Sequence, residues 1–190
     1  MKFLFFLFFI PSIIFSKDVY IDNIFIQGNK NIKNNEIHKN MKLKRPSFFI
    51  RTVFSNKLLN QDVQNILGLY KTRGYIKANI TTSIENQKNN YVSITYNIEE
   101  GNKYLFNKII IKGNNYFSDK IISSFFIDQI SKEFNQILVQ KTLLNLKKEY
   151  LKFGRLKINI EDEIILNENH ATLQLIISEG KEYKINDINI

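Results

Sequence analysis

Apolar residues at Leu59, Val63, Ile66 and Tyr70 recur at i, i+4, i+7 and i+11. That spacing lays one apolar stripe along an α-helix. After Gly74 the period falls to two: Ile76, Ala78, Ile80, Thr82 and Ile84, then Val92, Ile94, Tyr96 and Ile98 beyond Asn89-Asn90. Alternation of this kind predicts two strands with one buried face, joined as a hairpin. Upstream, Asn23–Gln27 is a short β-rich run ended by Gly28-Asn29, a turn signal, and Ile32, Ile37 and Met41 predict a first helix. The predicted order is β-α-α-β-β.

The same pattern occurs twice. Tyr70–Ile80 aligns with Tyr150–Ile160 at a shift of 80, Glu100-Gly101 with Glu179-Gly180 at 79, and Ile24–Asn29 with Ile109–Asn114 at 85. The second helical stripe is Val139, Leu143, Leu146 and Tyr150, and the second alternating strands carry Leu156, Ile158, Ile160 and Ile164, then Leu173, Leu175 and Ile177. Lys108–Lys112 is the first strand of the second copy, and Ile122 and Phe126 match Ile37 and Met41, with Ser118 placed to cap that helix. Of seven glycines, six fall on matched pairs: Gly28 with Gly113, Gly74 with Gly154, and Gly101 with Gly180, leaving Gly68 alone. Glycine marks tight turns and positive φ, so the match reports shared geometry. The expected class is α+β: tandem β-α-α-β-β units, each a three-stranded mixed sheet covered on one face by two helices. The boundaries read as 20–101 and 104–180, with 183–190 as the first strand of a truncated third unit.

The first residues belong to neither unit. Met1-Lys2 precedes an uncharged, phenylalanine-rich run from Phe3 to Phe15. It is shorter than the roughly 20 residues of a membrane span, and it has the charged start and apolar centre of a secretory signal over 1–16. An exported chain with no cysteine has neither disulfides nor thiolates, so its hydrophobic cores must hold it together.

Charge adds little that is specific. Lys+Arg 27 against Asp+Glu 18 gives +9, yet the arginines are only Arg45, Arg51, Arg73 and Arg155. Phosphate and base recognition favours the planar guanidinium fork, so the surplus reads as solvated lysine. A nucleic-acid-binding α/β module is the rival of another class. A KH domain needs Gly-x-x-Gly, which does not occur, and an RRM needs paired aromatics where the central strands here carry mostly isoleucine. His38 and His170 occupy non-equivalent positions, one in a helix and one in a turn, Glu99-Glu100 closes a strand, and Glu161-Asp162-Glu163 lies on an alternating one. All of these read as solvated polar groups. No phosphate loop or activated nucleophile appears, so neither an enzyme nor a cofactor or metal site is expected.

The isoleucine-rich strand before Gly-Asn, the Tyr70-x-x-x-Gly74-Tyr75 helix exit and the Glu-Gly-x-x-Tyr bridge resemble the POTRA (polypeptide-transport-associated) domains of BamA/TamA-type outer-membrane assembly factors. Leu43–Ala78 is similar to their variants with a lengthened loop between the helices, while Arg155 departs from the pattern where copy one has Tyr75. The resemblance implies a periplasmic location, partners among unfolded outer-membrane polypeptides and assembly-machinery subunits, no nucleic acid, and a following C-terminal outer-membrane β-barrel that these 190 residues lack. It also implies binding by β-augmentation, in which an extended peptide pairs with an open sheet edge. The expected edge residues are Ile76, Lys77, Ala78, Asn79, Ile80 and Thr81 in copy one, and Leu156, Lys157, Ile158, Asn159 and Ile160 in copy two. The POTRA segment of a two-partner secretion transporter is the nearer alternative, whereas a surface lipoprotein would need a cysteine after the signal.

Overall fold

The computed structural model describes residues 18–47 and 51–184. Unit one runs β1 (Tyr20–Gln27), α1 (Asn34–Asn40), α2 (Asn56–Thr72), β2 (Asn79–Asn86) and β3 (Tyr91–Glu99). Unit two repeats it as β4 (Leu105–Lys112), α3 (Asp119–Ser124), α4 (Gln136–Lys152), β5 (Asn159–Asn167) and β6 (His170–Ser178). The sheets have strand orders β1-β3-β2 and β4-β6-β5. The hairpin pair is antiparallel in each, and the first strand joins its centre in parallel. This is the mixed α+β architecture expected from the two periodicities. The signal segment and the last six residues of the expected third unit lie outside the described residues.

The helix stripes and the alternating strand faces make two cores. Ile66, Tyr70, Ile94 and Tyr96 are fully buried in the first, as are Phe126, Val139, Leu146 and Leu173 in the second. The second core is the more aromatic, with Phe106 meeting Phe134 and Phe126 edge to face at ring separations of 5.1 and 6.4 Å. The long helices start on side-chain caps, Ser55 Oγ accepting from Leu58 N–H and Asn135 Oδ1 from Leu138 N–H. Ser118 caps α3 as expected.

The Gly-Asn pair after the first strand has separable tasks. Gly28 and Gly113 both have φ of 81°, and a Cβ there would fall 2.1 Å from the Ile98 carbonyl oxygen and 2.3 Å from that of Ile177. No side chain fits. The asparagine then ties the turn to the helix: Asn29 Nδ2 donates to Ile32 O and Asn34 Oδ1, and Asn114 Nδ2 to Phe117 O and Asp119 Oδ1.

Three expectations change. The first strands begin earlier than Asn23 and Lys108, because bulges at Asp22 and Asn107 interrupt their alternation. Ile21 and Ile24 are thus both buried although they stand three apart. Ile76, Lys77 and Ala78, with Leu156, Lys157 and Ile158, lie before the strands rather than in them. Each triplet is a turn closed by Ala78 N–H to Tyr75 O or Ile158 N–H to Arg155 O. Finally, His170 opens β6 instead of lying in the turn.

Candidate functional site: open sheet edges and carboxylate clasps

Each sheet has two outer edges, and the chain treats them differently. The first-strand edge is partly covered by the long connection between the helices. Ile21 N–H donates to Thr52 O and Phe54 N–H to Val19 O at 2.8 Å each. In unit two, Phe106 N–H reaches Lys132 O, Ser131 N–H reaches Phe106 O, and Phe134 N–H reaches Tyr104 O, at 2.7 to 2.9 Å. Among the described residues, no segment pairs with the outer edges of β2 and β5. Their outward N–H and C=O groups have no backbone partner among these residues.

Of the expected edge residues, Asn79, Ile80 and Thr81 stand in β2, and Asn159 and Ile160 in β5. Ile80, paired with Ile98, faces the helices and is buried, while Asn79 and Thr81 alternate to the other face. The turn residues serve elsewhere. Ile76 packs against the core of unit two, Ala78 against its own core, and Ile158 is itself buried. Leu156, the counterpart of Ile76, is exposed.

The Glu-Gly bridge holds the chemistry that sequence reasoning missed. Glu100 was expected to be solvated, yet it is only 7% exposed. Its carboxylate accepts from Lys30 N–H at 2.8 Å, Asn31 N–H at 2.9 Å, Asn31 Nδ2 at 2.6 Å and Tyr70 Oη at 3.0 Å. Burial pushes its pKa up, but these donors outweigh burial and hold the carboxyl below the ordinary glutamate value. The Tyr70 hydroxyl is pushed above the ordinary phenol range, first by burial and then by its bond to Glu100. One side chain thus joins the end of β3, the loop after β1 and the last turn of α2. Glu179 repeats the loop contacts in unit two, accepting from Asn115 N–H and Tyr116 N–H at 2.8 Å each, but the buried Tyr150 hydroxyl makes no hydrogen bond that would complete the tie to α4. Repetition of Glu immediately before a matched glycine was the available signal. Glu161, Asp162 and Glu163 are exposed, as expected.

A second buried carboxylate, Asp62, lies on the apolar stripe of α2 and is fully enclosed. It accepts from the backbone N–H groups of Lys42 and Leu43, and from Tyr96 Oη at 3.4 Å. Thr142 takes the equivalent place in α4 and accepts from Gln129 Nε2 at 2.9 Å. Both positions anchor the connection between the helices. Asp62 follows Leu59 by three and precedes Ile66 by four, so the stripe's own spacing marked it as inward-facing. No group of three or more histidine, aspartate or glutamate side chains suited to a metal occurs among the described residues.

The bridge also explains its tyrosine. Tyr104 N–H donates to Gly74 O and Tyr183 N–H to Gly154 O, each at 2.9 Å, so the linker is pinned to the helix exit in both units. Tyr104 is buried in the core of unit two. The two units therefore share a short, anchored joint.

Residues 19–101 match the family model POTRA, described as a surface antigen variable number repeat. The second unit repeats the topology of the first, and the chain is similar over most of its length to known POTRA regions. It is 35% identical over 94 residues to the outer membrane protein assembly factor BamA of Nitratidesulfovibrio vulgaris, a match covering 49% of this chain and 11% of that protein. With BamA of Buchnera aphidicola the identity is 26% over 194 residues, covering 99% of this chain and 28% of the relative. The crystal structure of Haemophilus influenzae BamA POTRA3-5 shares the fold at a TM-score of 0.72 and 18% identity, covering 87% of this chain and 68% of that one. The chain therefore spans about a tenth to under a third of the length of these BamA relatives.

Proposed function

We propose that this chain is the periplasmic scaffold portion of an outer-membrane protein assembly factor, acting through binding rather than catalysis. Its POTRA units hold extended segments of unfolded β-barrel polypeptides by β-augmentation on β2 and β5, and partner subunits of the assembly machinery dock on the same tandem array. The supporting observation is the asymmetry of the edges: the β1 and β4 edges are partly covered by their own chain, while β2 and β5 stand at the other ends of their sheets. Backbone pairing tolerates many side chains, which suits a receptor for varied sequences.

The absence of native cysteine gives a direct test. Thr81→Cys and Glu163→Cys each place one thiol on an edge strand, and Asn60→Cys places one on the exposed side of α2. A barrel-strand peptide carrying a single cysteine is expected to form mixed disulfides with the edge variants well above the Asn60→Cys level. Equal yields at all three positions would defeat the edge assignment.

A further inference from the structure

Six of the seven glycines have positive φ, as their turns require. Gly68 does not. It sits inside α2, where glycine is about 1 kcal/mol worse than alanine. A Cβ there would meet only Ile137 Cδ1, at 3.7 Å, from the first turn of α4. The position lines a cleft of about 740 Å³ between the helices of unit one and the start of α4.

The lining is basic and one-signed. Lys39, Lys42 and Lys44 border the cleft, and among the described residues no acidic side chain does. Of the nearby carboxylates, Glu36 pairs with Arg73, Asp62 is buried on backbone N–H groups, and Asp128 and Glu133 line the neighbouring hollow on the far side of Thr72. Lys44 Nζ is fixed by the Met41 carbonyl at 2.6 Å, whereas Lys39 and Lys42 are exposed. His38 lies in the adjoining hollow with Arg45. Its imidazole is held below its ordinary value by burial first and then by the charges of Arg45 and Lys44.

We propose that this inter-unit cleft is a docking site for an acidic peptide segment of a partner protein. Three lysines without an arginine among the lining suit single carboxylates better than the bidentate recognition of phosphate. Gln64 supplies an amide for a peptide backbone, Asn65 offers its amide oxygen while its Nδ2 donates to Asn40 O at 3.1 Å, and Leu69 and Ile137 give the aliphatic side chains an apolar wall. The site is separate from the β2 and β5 edges and does not depend on the strand-binding function.

The test is fluorescence anisotropy of the whole chain with a labelled hexapeptide of alternating leucine and aspartate. Lys39→Glu with Lys42→Glu is expected to weaken binding at least tenfold. Lys108→Glu with Lys112→Glu, an equal charge change on the exposed side of β4, is expected to leave it within twofold. The two double variants having the same effect would overturn the proposal, because net charge would then account for it. So would binding to phosphatidylglycerol vesicles with none to the peptide, which would make the cleft a lipid site. Disulfide trapping at Thr81→Cys remains intact when only this cleft is lost, so failures of the two readings are separable.

Discussion

Replacing Glu100 with alanine removes the acceptor for two backbone N–H groups, one amide and one phenol. Hydrogen bonds to a charged group contribute about 1.5–3 kcal/mol each, and buried donors left without partners cost about 1–3 kcal/mol. These terms are not additive, since water can enter beside the Gly28 loop once the side chain is gone. A loss of about 3–5 kcal/mol is expected for Glu100→Ala, a large part of the stability of a small domain. Glu100→Gln keeps one oxygen acceptor but loses the charge, and about 1–2 kcal/mol is expected. The pH dependence separates this clasp from simple packing. Because the folded pKa is depressed, the contribution is fully present above the unfolded glutamate value and is lost as pH falls through the folded one. The glutamine variant should therefore show a flatter acid limb than the parent. Urea unfolding followed by circular dichroism from neutral pH to about pH 3 reads both quantities. A cost below about 1 kcal/mol for the alanine variant, or identical acid limbs for parent and glutamine variant, would refute the clasp.

Three further outcomes follow from the same geometry. Gly28→Ala, with a Cβ forced against the Ile98 carbonyl at positive φ, should destabilise by on the order of 2–4 kcal/mol, whereas Gly68→Ala should stabilise by about 0.5–1 kcal/mol, both measured by urea midpoint. Asp62→Ala strands the Lys42 and Leu43 N–H groups and should cost about 2–4 kcal/mol, against about 1 kcal/mol for Thr142→Ala in unit two. Hydrogen exchange at Lys42 and Leu43 should accelerate in the aspartate variant alone. Arg73→Ala removes an ion pair whose partners are exposed and should change stability by less than about 1 kcal/mol in thermal melts.

Local chemistry settles much of this protein without reference to any tertiary contact. The helical stripe from Leu59 to Tyr70, the two-residue alternation from Val92 to Ile98, and six paired glycines specify two equivalent α+β units, because period and positive φ are properties of the chain itself. The turn at Tyr75–Ala78 has the pattern of a strand, since Ile76 and Ala78 continue the alternation. Only the fold shows Ile76 turned to the core of the next unit. The bulges at Asp22 and Asn107 were hidden for a related reason: an unpaired residue is defined by its partner strand. Glu100 looks like an ordinary surface charge in a lysine-rich sequence, and the spacing that turns Asp62 inward names no partner for it. Tertiary structure gave them their roles by bringing N–H groups from loops 69 and 19 residues away around a carboxylate. The open edges are likewise decided by strand order, which no single strand encodes. A strand's own residues set which face is apolar, but long-range pairing alone determines which backbone groups remain free.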